Sequence, residues 1–152
     1  MGASVPGNFN WVKSRADCSL AVVFKSLEHG VSEDVKVANG LVGSSPIRFS
    51  LVQGSRQFSV IREEGATALS PIPTTYEVNF IIEGQEIVIS RENRAFLRAS
   101  LTLNNEGECK LKIGDSELDQ WQVRRMALEE LFFGPFNKSS RPRTGTTNME
   151  GI

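Results

Sequence analysis

Few side chains in this sequence could act on a substrate, and their spacing limits what each could do. The single histidine is His29, and the two cysteines are Cys18 and Cys109. Glu63 and Glu64 follow Arg62, and Arg91, Arg94 and Arg98 lie close together. A Ser-His or Cys-His mechanism needs an imidazole held in a positioned, partly desolvated site. His29 falls opposite the apolar stripe of a helical segment, which predicts a solvent-facing ring and leaves such mechanisms without a base.

Glu63 and Glu64 could serve as the acid and base of a carboxylate-dependent enzyme. They stand at the end of a strand running into a loop, so a solvated pair is the simpler expectation. The three arginines could hold an anion, yet Glu86 and Glu92 interleave with them and predict ordinary surface ion pairs. Cys18 and Cys109 have no metal-ligand spacing. Met1–Pro6 lacks the basic-plus-apolar layout of a secretory signal, so the expectation is two buried free thiols in a cytoplasmic protein. A single disulfide is the alternative. The P-loop, the Rossmann glycines, HExxH and Cys pairs are all missing from the sequence, so neither cofactor nor metal is expected.

The elements that would position these groups follow from hydrophobic period. The clearest stretch is Thr74–Ser90, where Tyr76, Val78, Phe80 and Ile82 recur every second residue and share one strand face. A two-residue Gly84-Gln85 loop in a type II′ turn sets Ile82 opposite Ile87 and Phe80 opposite Ile89. A three-residue loop would put Ile82 opposite Glu86, and a one-residue slip moves the whole apolar set to the wrong face.

From about Asp17 to Leu41 the period becomes helical. Leu20, Val23, Phe24, Leu27, Val31, Val35 and Ala38 make one stripe, with Asp17 or Ser19 as N-cap and a kink or break expected at Gly30, after which Ser32 would cap a second segment. Phe9, Trp11 and Val12 precede it as an apolar cluster. A first hairpin covers Ile47–Leu51 and Phe58–Val60. Glu63–Pro73, with two close prolines, is a long irregular connection. Arg91–Arg94 and Asn104–Gly107 are turns flanking a fifth strand, and Cys109, Leu111 and Ile113 mark a sixth. Asp115-Ser116 is expected to cap a final helix that buries Leu118, Trp121, Met126, Leu128, Phe132 and Phe133 and stops at Gly134-Pro135.

A capped C-terminal helix carrying Trp121 after an antiparallel sheet resembles pleckstrin-homology-like barrels over Asp115–Phe133. The likeness ends there, because a long amphipathic helix opens this chain and only Arg56 lies between its first two strands, where those barrels carry a basic phosphoinositide loop. Trp121 then reads as a core anchor.

The fold expected is α+β: an N-terminal helix, a six-stranded antiparallel meander and a C-terminal helix, both helices on one sheet face. A strongly curved sheet wrapped around a helix is the alternative. With 152 residues the expected organisation is a flexible arm over 1–8, one domain over 9–136 and a disordered tail over 137–152. A net charge of −1 and a pI near 5.9 argue against nucleic acid and anionic membrane as partners. No apolar run reaches the ~20 residues of a membrane helix.

Three functions fit this pattern. The first is a non-catalytic interaction domain that uses the outer sheet face, with Ile61, Ile81, Val88 and Phe96 meeting a protein partner or a second copy in a homodimer. The second is a small-molecule or lipid carrier, with a cavity lined by Phe24, Leu27, Tyr76 and Phe80. The third is the carboxylate-dependent enzyme using Glu63 or Glu64.

Overall fold

The computed structural model describes residues 8–66 and 71–135. The expected tail, nearly all of the expected arm, and four residues of the long connection lie outside them. The chain forms α1 (Trp11–Asp17), α2 (Leu20–Val42), β1 (Ile47–Gln53), β2 (Gln57–Glu64), β3 (Thr74–Glu83), β4 (Glu86–Arg91), β5 (Arg94–Leu103), β6 (Cys109–Ile113), β7 (Ser116–Leu118) and α3 (Gln120–Phe133). The strands make one antiparallel meander in sequence order, with β1 and β7 as open edges rather than the seam of a barrel. Helices α2 and α3 cover one face of it, as expected. Among the described residues no helix is long and apolar enough to cross a membrane.

Turn chemistry sets the sheet's registers. Ile82 faces Ile87 and Phe80 faces Ile89 across the β3–β4 hairpin. Gly84 takes φ +64° while Gln85 does not adopt positive φ, the combination a type II′ turn requires. At the next hairpin Glu92 and Asn93 both sit at positive φ, 51° and 68°, which makes a type I′ turn without glycine. A bulge follows, because Ile89 pairs with Leu97 while Ser90 pairs with Ala95.

The stripe predicted for α2 is the buried one. Val23, Phe24, Leu27, Val31, Val35 and Ala38 are all buried in the core, and Ser19 accepts the Val22 N–H at 3.3 Å to cap the helix. Burying a side chain such as Leu27 contributes about 1.5–3 kcal/mol. The chain does not break at Gly30: α2 is continuous for 23 residues, and Ser32 caps no second segment. Gly30 serves packing instead, since a Cβ there would lie 2.6 Å from Nη1 of Arg124 on α3. Asn39, near the end of α2, guards the edge of the sheet. Its Nδ2 donates to the Phe49 carbonyl at 2.9 Å and its Oδ1 accepts the Phe49 N–H at 2.8 Å, so it occupies backbone groups of an edge strand that could otherwise pair with another chain.

Three expectations need correction. The apolar cluster before the first helix is itself a separate helix, α1, capped by Asn10 and with no buried residue. Ser116 does not cap α3: it begins a seventh strand, and Asp119 caps the helix, its N–H donating to Gln122 Oε1 at 2.8 Å. The helix also rolls differently. Val123, Ala127, Leu128 and Leu131 are buried, whereas Trp121, Met126 and Phe133 are exposed. Trp121 is therefore no core anchor.

Candidate functional site

The sheet places each chemically interesting side chain. His29 is exposed, as its position on the helix implies. Arg62 and Glu64 are not solvated. Their β2 positions point toward the helices, both are buried, and Arg62 Nη2 meets Glu64 Oε2 at 2.7 Å. Arg62 Nη1 also donates to the carbonyls of Leu131 and Gly134 at 2.9 and 2.8 Å, closing the C-terminal end of α3. This is a structural clamp, and the Glu64 carboxylate is committed to it. Glu63 points the other way and is exposed. Arg98 lies within 3.5 Å of Glu83 and 3.4 Å of Glu86, and Arg91 pairs with Glu130 at 3.0 Å, so these two arginines are held by carboxylates. Among the described residues no group of three or more His, Cys, Asp or Glu could hold a metal ion.

Three of the residues expected to line a carrier cavity, Phe24, Leu27 and Phe80, belong to the packed core. Phe58 stacks on Phe80 with centroids 4.6 Å apart and tilts against Phe24 at 5.0 Å, and Leu27 is fully buried. Tyr76 is half-buried at the side of this cluster. The four residues proposed for the outer face do not gather into one patch. Ile81 and Val88 pair across β3 and β4, but Val88 is only 3% exposed. Arg98, opposite it on β5, reaches over to the carboxylates of Glu83 and Glu86. Ile61 pairs with Glu77, farther along β3. Phe96 is the bulged residue, and its ring lies under Arg91, 4.3 Å from the guanidinium carbon, while that guanidinium also pairs with Glu130 of α3. The bulge therefore removes Phe96 from the strict alternation that would place it beside Ile81 and Val88.

A different surface gathers four of the exposed apolar side chains around one concavity. Between α2 and α3 runs a groove of about 390 Å³, bordered by Val37, Leu41, Trp121 and Phe133 and floored by Ala38 and Leu128. These four border residues are 63%, 69%, 53% and 70% exposed, and it is their gathering around one groove that marks a surface for binding. The helices are tied together by Arg124, whose Nε donates to Asp34 Oδ2 at 2.7 Å while its guanidinium lies over Gly30. The sequence signal for this groove lies in Gly30 and in the number of apolar residues around α3, but the same residues fit a kink and a core face equally well.

The other notable site is covalent. Cys18 and Cys109 form a disulfide with Cα atoms 5.4 Å apart, which corrects the expectation of free thiols. It fastens the α1–α2 junction to β6. Phe9 packs on the same hairpin, since a Cβ at Gly107 would lie 2.5 Å from its ring. Beside the disulfide is a more polar cavity of about 730 Å³, bordered by Arg15, Gln85 and residues 100–103. Neither this cavity nor the groove is lined by Phe24, Leu27, Tyr76 or Phe80.

Comparison of the chain with protein-family models, with curated proteins and with solved structures found no match.

Proposed function

We propose that this chain is an interaction domain whose docking surface is the groove between α2 and α3. The observation that supports it is the cluster of Val37, Leu41, Trp121 and Phe133, four large apolar side chains more than half exposed around one concavity. Tryptophan in such a setting is the residue most often found at the energetic centre of a protein interface. Arg125 and Glu129 border the same groove, giving it the polar rim of a protein-binding surface. A net charge of −1 favours a protein partner over nucleic acid or an anionic membrane. The outer sheet face supports docking less well, with Val88 covered and Phe96 stacked against Arg91. The carrier and the carboxylate enzyme have less support still, because Phe24 and Phe80 both pack on Phe58, Leu27 is fully buried in the same core, and Glu64 is held by Arg62. As to compartment, the disulfide favours an oxidising environment over the cytoplasm expected from the sequence.

The test is to map where apolar probes bind. Amide NMR spectra of dilute protein, titrated separately with isopropanol and with the dye anilinonaphthalene sulfonate, should shift at Val37, Leu41, Trp121 and Phe133. Shifts confined to the outer sheet face around Ile61 and Ile81 would overturn the reading.

A further inference from the structure

On the exposed side of α3, Trp121, Arg125, Glu129 and Phe133 follow one another at every fourth residue and form a single ridge along the helix. The order is aromatic, cation, anion, aromatic. Ala127 is the midpoint of both pairs: Trp121 and Phe133 lie equally far from it, as do Arg125 and Glu129. A two-fold axis demands this kind of pattern, because residue i of one copy must meet residue j of the other while j meets i.

We infer that the occupant of the docking surface is a second copy of this chain, with the two α3 helices antiparallel about a two-fold axis at the level of Ala127. Arg125 then faces Glu129 of the second copy, and Trp121 faces Phe133 of the second copy, each contact occurring twice. A partner running parallel would set Arg125 against Arg125 and Glu129 against Glu129, so the charges select the antiparallel arrangement. Specific interfaces bury roughly 800 Å² per partner, which a row of four side chains does not reach. Val37 and Leu41 on α2, bordering the same groove, extend the contact. A net charge of −1 per copy leaves little overall repulsion to overcome.

This inference rests on the docking reading above, and its test separates the two. Sedimentation velocity of the full chain, across a concentration series from dilute to concentrated, should show a monomer–dimer equilibrium. Arg125→Glu alone and Glu129→Arg alone each create two like-charge contacts and should weaken the dimer by tenfold or more. The double exchange, Arg125→Glu with Glu129→Arg, restores both contacts and should recover wild-type affinity. All three variants should melt close to wild type when dilute enough to be monomeric, since an exposed i, i+4 ion pair contributes little to folding. A chain that stays monomeric throughout, or a dimer indifferent to the single reversals, or a double exchange that fails to recover, overturns the two-fold arrangement. If the apolar probes still bind between α2 and α3 in that case, the docking reading stands without self-association. If they do not, both fall.

Discussion

Reducing the Cys18–Cys109 disulfide is the perturbation whose size follows most directly from the chain's path. The bridge spans a sequence separation of 91 residues, and closing a loop of that length removes about 4.6 kcal/mol of conformational entropy from the unfolded chain at 25 °C. A second effect acts in the folded state. Helix α1 buries no residue, so after reduction residues on the N-terminal side of Cys18 can separate from β6 without opening the core. That freedom returns entropy to the folded protein and reduces the loss. We expect the reduced protein, or Cys18→Ser with Cys109→Ser, to be less stable by about 2–4 kcal/mol. For a chain of this size that corresponds to a melting temperature lower by roughly 5–15 °C. Urea denaturation with and without reductant measures the difference, and the intact mass before reduction establishes the oxidised state. Limited trypsin digestion locates it: on reduction, cleavage after Lys13 and Arg15 should accelerate more than cleavage within α2, which requires global unfolding. Equal urea midpoints for oxidised and reduced protein would refute the reasoning, as would free thiols in protein purified without reductant.

Three further outcomes follow from buried contacts. Arg62→Ala leaves the Glu64 carboxylate buried without its guanidinium and uncaps the Leu131 and Gly134 carbonyls, so it should cost about 3–5 kcal/mol in urea denaturation. Arg62→Met combined with Glu64→Leu should recover most of that, and a double variant no better than the single one would show that the clamp acts through something other than charge. Gly30→Ala should gain about 1 kcal/mol of helix propensity but push Arg124 away from α2, so a double-mutant cycle between Asp34 and Arg124 should show coupling in wild type and none once Gly30→Ala is present. Persistent coupling there would mean that Arg124 can pair with Asp34 from elsewhere. Asn39→Ala removes two hydrogen bonds to Phe49 and should cost about 2 kcal/mol by thermal melting, with faster aggregation as the β1 edge is uncovered; unchanged aggregation would argue against edge protection.

What the sequence by itself determined is what short-range chemistry controls. Strand registers from Tyr76 to Ile89 follow from alternation plus one glycine turn, because a slip of one residue would expose the whole apolar set. The buried face of α2 follows from a stripe with charged and small residues on its other side. Tertiary structure decided the rest. Around α3 the apolar residues are spread so widely that the helix could bury either Val123 and Leu131 or Trp121 and Phe133, and only packing on β3, β6 and α2 selected the first pair. Arg62 reads as a solvated strand end until α3 arrives above it with two carbonyls to satisfy. The pairing of Cys18 with Cys109 depends on β6 lying beside the start of α2, a proximity in space that no local pattern encodes. The proposed docking surface shows the same contrast: the alternation in β3 points to the outer sheet face, while the roll of α3 leaves Trp121 and Phe133 bordering a groove on the helical side.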